Sequence, residues 1–398
     1  MLSVTTSRVC PSGAFLSRGY SGTHLRHYVP NLNRKIVFRP TLKGSGRRCA
    51  TGGEAESVSI HKESFSIQKF VDDNFIPIAL LCAASFGWIF PKPGEVAMSL
   101  KVQKLSTIGQ FIISGMVLQA NQVAVAIKSP LPLLYGIISI LFVTPLLGIG
   151  IMNAPWIQPF EFKIGMAVFC CVPTTLSSCV ALANACNGNA AVALMLVVTT
   201  STLGVFTIPF MLSLVLGATS LGQQAFDQRE LLKSLIVSVL LPLFVGIGLQ
   251  CIRSVSAWKD RNRKLLSRMS TMFLCLTPWM QLSIASAAHL PIGPGMVLTA
   301  LALGVGVHLV FLAFNMVTTS GIRFNSNDGE NTAIRKSVVL CTSEKTLPVA
   351  VAVISQLKGV LGSAMAFAVL PCIFSHIVQT IIDSALVSHW NKKDAQTV

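Results

Sequence analysis

Two short polar runs interrupt otherwise apolar stretches of this chain. One is Val172-Pro173-Thr174-Thr175-Leu176-Ser177-Ser178; the other is Cys341-Thr342-Ser343-Glu344-Lys345-Thr346-Leu347-Pro348. Glu344 and Lys345 are adjacent charges that must lie well inside an apolar stretch. A charge at the centre of a bilayer costs at least ~2.5–3.5 kcal/mol, so it is retained for a partner or a pathway. The plainer alternatives are a neutralising internal pair or an interfacial position. Helix neighbours do not face one another, so each group is expected to meet another helix or a cavity.

In the first run Pro173 removes a backbone donor and bends its helix, freeing a carbonyl one turn earlier. Thr174, Thr175, Ser177 and Ser178 set hydroxyls at that depth. Freed carbonyls with hydroxyls make an oxygen cage for a small hard cation, while a half-helix N-terminus attracts an anion. The alternative is that each hydroxyl bonds back to its own helix and only bends it. Pro348 offers the same break beside Glu344 and Lys345. The candidate binding residues are therefore Thr174, Thr175, Ser177, Ser178, Ser343, Glu344, Lys345 and Thr346, with Pro173 and Pro348 as helix breaks. No catalytic residue and no cofactor are expected, beyond a possible coupling ion.

The elements that must carry these residues are long and apolar. Ten stretches are expected to span a membrane: 75–91, 105–120, 131–152, 163–185, 189–216, 231–252, 269–288, 293–318, 337–357 and 361–388. Only 12% of residues are charged and the mean hydropathy is +0.66, about half the charge of a soluble domain. The polar breaks fall in the fourth and ninth stretches. Interrupted segments at matching places in two halves point to a transporter's binding site. The expected organisation is a first repeat over 75–216, a connector over 217–230, a second repeat over 231–388 and a tail over 389–398. Features recur at an offset of roughly 155–170 residues, such as Gln110 with Gln281. Five spans is an odd number, so the second unit must be inverted relative to the first. The fold class is an all-α membrane protein with a 5+5 inverted repeat.

The net charge of +16 suggests nucleic acid until it is located. Residues 1–53 hold nine Lys/Arg and no Asp or Glu, and are rich in Ser, Thr and Gly. That composition reads as an organelle transit peptide, plastid in flavour; a disordered basic tail is the alternative. Residues 54–74 then form a stromal segment. The remaining Lys/Arg number fourteen on the N-terminal side of the spans and seven on the other. By the positive-inside rule both termini would face the stroma of the inner envelope. No nucleic-acid partner is expected.

Other polar residues carry less weight. Asp383 falls near the end of the last stretch, where an interfacial position is expected. His376 precedes it by two turns, which makes a proton relay conceivable. His308 reads as a core histidine, and the cysteines read as packing residues, since they show no metal-ligand spacing. An intramembrane enzyme would need a nucleophile with its base or a metal motif. Neither H-E-x-x-H nor a histidine cluster occurs.

Pro173-Thr174-Thr175-Leu176-Ser177-Ser178, then Gly188-Asn189, then Leu203-Gly204-Val205-Phe206-Thr207-Ile208-Pro209 together resemble the bile acid:sodium symporter superfamily. The resemblance is closest to its SBF-like branch, which includes plastid sodium/metabolite cotransporters of plants. It covers essentially everything after residue 53. It implies a ten-helix inverted repeat with a panel and a core domain, spans four and nine crossing at their breaks, and sodium-coupled uptake of organic anions. It also implies that Glu344 matches an acid bridging two sodium sites and that Ser178 matches a sodium ligand. The chain departs elsewhere: Cys179 replaces an Asn, Ala193 and Val197 stand near hydroxyl ligands, and Pro348 replaces a Gln. Lys345 stands where the sodium-coupled members have no charge, and an ammonium can substitute for a cation in such a cage. These departures bear on two-sodium coupling rather than on the fold.

The expected function is secondary transport of a small organic anion across the plastid envelope. Sodium would sit at Glu344 and Ser178, with Lys345 supplying charge to the site or to the anion. The alternative keeps the fold and couples to protons, with Glu344 or Lys345 titrating, since burial disfavours the charged form of either.

Overall fold

The computed structural model describes residues 75–117, 130–217, 227–288 and 293–397. The expected transit peptide, the segment 54–74 and most of the connector lie outside the described residues. Among those described, every regular element is helical. Apolar segments of this composition leave the backbone no water to bond, and a helix satisfies it internally.

The helices run α1 (Phe75–Ile89), α2 (Pro91–Ser99), α3 (Val102–Val117), α4 (Pro130–Asn153), α5 (Phe160–Cys171), α6 (Leu176–Ala185), α7 (Ala190–Gly217) and α8 (Gln228–Leu249). They continue with α9 (Arg253–Arg261), α10 (Arg263–Ala287), α11 (Pro294–Ser320), α12 (Asp328–Ser343), α13 (Leu347–Gln356) and α14 (Met365–Thr397). A short helical turn over 358–364 precedes α14.

Among the described residues, six units are long and apolar enough to cross a membrane: α4, α7, α8, α11, α12 with α13, and α14. A seventh is α1 with α2, which bend by 97° at their junction. The other expected spans fall short for local reasons. Helix α3 has 16 residues, and α5 and α6 have 12 and 10 on either side of their break, against the ~20 a crossing helix needs. Helix α10 has 25 residues but is diluted by Thr271, Thr277, Pro278, Gln281 and Ser283.

The helices pack as two sets. One holds α1, α2, α3, α8 and α10; the other holds α4 to α7 and α11 to α14. Glycines set the closest approaches. A Cβ on Gly115 of α3 would lie 2.3 Å from the Leu243 carbonyl of α8, and one on Gly165 of α5 would lie 1.8 Å from the Ala368 carbonyl of α14. The second contact seats α5 against the helix that carries Gln379 and Asp383. Helix α12 is started by Asn327, whose side-chain oxygen accepts from the Gly329 and Glu330 amides at 3.0 and 3.2 Å. Asp328 and Glu330 in that first turn complement the helix dipole.

Candidate functional site

Both anticipated breaks are present. The chain is non-helical between α5 and α6 over 172–175 and between α12 and α13 over 344–346. Pro173 lies inside the first gap, and Pro348 occupies the first turn of α13, where a missing N–H costs nothing. The Thr346 amide donates to the Pro173 carbonyl at 3.0 Å, so each break supplies the other with a backbone bond its own helix cannot. Gln379 on α14 clamps the second break. Its amide oxygen accepts from the Lys345 N–H at 3.1 Å and its Nε2 donates to the Lys345 carbonyl at 2.7 Å.

Glu344 and Lys345 are both fully buried and point different ways. The Lys345 ammonium reaches the Ile140 carbonyl at 3.0 Å, the Thr144 hydroxyl at 2.6 Å and the Val172 carbonyl at 3.0 Å. Two of those acceptors exist because helices are irregular. Within α4 a π turn spans Ser139–Val143, where the Thr144 amide bonds Ser139 instead of Ile140. The Val172 carbonyl is free because α5 has ended. Thr144 donates its own hydrogen to the Ile140 carbonyl at 2.8 Å, leaving its oxygen to accept. As an ammonium, Lys345 offers three N–H donors, one for each of these oxygens. The Phe311 ring lies 5.6 Å from it. The amine is thus enclosed by protein oxygens.

The Glu344 carboxylate meets different partners. Its Oε2 accepts from the Ser178 hydroxyl at 2.6 Å and from the Cys179 thiol at 3.0 Å. Its Oε1 is buried with no donor. Ser178 thus meets Glu344 directly. The other hydroxyls divide. Thr174 bonds Cys179 at 3.0 Å, the buried Thr175 oxygen has no partner, and Ser343 accepts from Asn315 at 3.3 Å. Thr346 contributes through its backbone. The side chain of Ser177 lies outside the described residues.

Three lesser residues are also placed differently from expectation. Asp383 is fully buried, not interfacial, because α14 continues to Thr397 and places it deep against α11. There the His308 Nε2 lies 3.0 Å from it, while His308 Nδ1 has no partner. Asp383 also lies within hydrogen-bonding reach of Glu344. His376 bonds the Lys345 carbonyl at 3.2 Å and Gln379 at 2.9 Å, so it braces the break. Cys179 is a ligand of Glu344 rather than mere packing. A lone histidine in one span and a lone acid in another were the signal that could have paired His308 with Asp383.

A cleft of about 1000 Å³ opens between the two helix sets. Ser114 lines it from α3, Val180, Ala181 and Asn184 from α6, and Arg261, Arg263, Lys264 and Arg268 from α9 and α10. No group of three or more His, Cys, Asp or Glu placed to hold a metal ion occurs among the described residues.

Comparison with known proteins supplies the family. The model of the SBF-like CPA transporter family matches residues 73–392. The chain belongs to that family. It is a transporter rather than an enzyme. It is 38% identical over 369 residues to a probable sodium/metabolite cotransporter, BASS4, chloroplastic, of Arabidopsis thaliana, covering 90% of this chain and 82% of that one. The match to BASS4 of Oryza sativa is 34% over 332 residues, covering 82% and 78%. The match to the putative symporter YfeH of Escherichia coli is 22% over 255 residues, covering 62% and 72%.

Proposed function

We propose that the protein couples movement of one sodium ion to that of a small organic anion across the plastid inner envelope. The observation that carries this reading is the Glu344 carboxylate. It is fully buried at the crossing of the two breaks, held through one oxygen by Ser178, with the other oxygen unfilled. A buried carboxylate with an unpartnered oxygen takes up either a proton or a cation, and the sodium/metabolite cotransporters among the relatives favour the cation. One sodium rather than two follows from Lys345, whose ammonium already fills a three-oxygen cage beside the breaks. The anion has its own place. The cleft between the helix sets is rimmed by Arg261, Arg263, Lys264 and Arg268, and Asn184 of α6 reaches it from the broken span.

The architecture that fits is ten spans in a 5+5 inverted repeat. Helices α1, α3, α5–α6 and α10 complete the six other units, and the broken pairs stand fourth in each half. The two packed sets are then panel and core, and rocking one against the other would alternate access to the cleft. Plastid location rests on the acid-free N-terminus and on the chloroplastic relatives. The charge asymmetry of the loops puts both termini in the stroma.

Equilibrium binding of radiolabelled sodium to purified protein tests the reading. One ion per chain, abolished by Glu344→Gln, is the expected result. Two ions per chain, or binding that survives the substitution, would contradict it.

A further inference from the structure

The first half of α12 meets the ends of α11 and α14 around a second cavity, of about 370 Å³. Arg335, Lys336 and Lys393 line it, together with Asp394, Trp390 and Met316. The positive-inside rule accounts for cations beside the end of a span. It does not account for a lysine that is only 9% exposed, as Lys336 is.

Lys336 ties three helices together at this point. Its ammonium donates to the Asp394 carboxylate of α14 at 2.6 Å and to the Cys186 carbonyl at the end of α6 at 3.2 Å. Asn391 of α14 donates to the neighbouring Ala185 carbonyl at 2.8 Å. Trp390 packs beside Cys186, Leu340 and Val387, with the Lys336 ammonium 6.0 Å from its ring. An ammonium has three N–H donors, so one of those on Lys336 remains for a ligand. The adjacent Arg335 is exposed, and among the described residues it has no hydrogen bond or ion pair. Its guanidinium presents five donors in a planar fork that matches the oxygens of a phosphate.

We infer that this cavity binds a phosphate group, gripped by the Arg335 fork and the spare donor of Lys336, with Lys393 adding charge. It shares no lining residue with the cleft between the helix sets and none with the Glu344 crossing, so it does not depend on the sodium reading. The group can come from two sources. Free phosphate, inorganic or on a small ester, fits the volume. A phospholipid headgroup fits as well, because Met316 is exposed on the apolar helix α11, and basic pockets between membrane helices take lipid phosphates. In either form the anion sits where α6, α12 and α14 meet. Helix α6 starts at one break and α12 ends at the other, so occupancy braces both broken spans at their far ends.

Trp390 provides the readout. Full-length protein in phosphatidylcholine nanodiscs would be titrated at fixed pH with potassium phosphate, against potassium chloride of equal ionic strength, while tryptophan fluorescence is followed. The expected result is a saturable, phosphate-specific change that Trp390→Phe lacks. Arg335→Gln should need at least about tenfold more phosphate, the cost of a charge-assisted hydrogen bond. Arg335 is exposed, so that variant should fold; Lys393→Gln is a second variant that should weaken binding in the same direction. Nanodiscs containing phosphatidylglycerol identify the source. A Trp390-dependent change produced by the lipid itself, and lost in Arg335→Gln, assigns the site to a headgroup. A phosphate response that persists unchanged in those discs assigns it to free phosphate. No Trp390-dependent change with either phosphate or phosphatidylglycerol would overturn the site, as would an unaltered response in Arg335→Gln.

Discussion

Glu344 and Lys345 are neighbours in sequence and opposites in circumstance. Both are fully buried at one helix break. The lysine has every donor engaged, on two carbonyls and a hydroxyl drawn from α4 and the α5–α6 gap. The glutamate has one oxygen bonded twice and the other not at all. The extended backbone at the break makes the divergence possible, because consecutive extended residues point to opposite sides. A completed charge is a fixture; an incomplete one is a place for a ligand. On the proposed reading, the break separates an enclosed amine from a site for an exchangeable cation.

The comparison breaks most visibly at Lys345. Substitution Lys345→Met leaves three buried oxygens without their donor, at about 1–3 kcal/mol for each orphaned group. Chemical unfolding should show a loss of several kcal/mol, partly restored by high sodium if the emptied cage accepts the ion. A variant as stable as wild type would show that the cage does not need its cation. Glu344→Gln comes next. It keeps the shape and the contact to Ser178 while removing the charge, so the folded yield should hold and sodium-driven uptake in vesicles should vanish. Equal loss of protein and uptake would make Glu344 structural instead.

Ser178→Ala should act in the same direction more gently. A hydrogen bond to a charged group contributes about 1.5–3 kcal/mol, which would weaken sodium affinity by roughly one to two decades and leave its stoichiometry unchanged. The smallest effect is expected at the cleft rim. Arg268 is exposed, so Arg268→Ser should slow anion uptake at low salt and converge with wild type as ionic strength screens the field. A salt-independent loss would move Arg268 from steering to direct contact.

Much of this was legible beforehand because the informative residues violate their surroundings. Pro173 and Pro348 could not continue a helix, and Glu344 could not lie in lipid for nothing, so the two breaks and their crossing partner Ser178 were readable. The acceptors of Lys345 were not. They are backbone carbonyls, and Ile140 is freed by a π turn that the apolar run around Ser139–Val143 does not announce. Asp383 was misplaced because a span drawn by hydropathy stops near residue 388, whereas α14 runs to Thr397 and carries Asp383 well inside. The α1–α2 bend was not legible either: the first span was expected over 75–91, which ends where α2 begins at Pro91.

The central claim is that Glu344 holds the coupling ion, and thermal unfolding tests it without knowledge of the anion. Wild type and Glu344→Gln would be melted in NaCl and in choline chloride at equal ionic strength. A ligand at a hundred times its dissociation constant stabilises by about 2.7 kcal/mol, a shift well within reach. The account predicts a sodium-specific rise in Tm for wild type that Glu344→Gln lacks. The same rise in both proteins, or in neither, would contradict it.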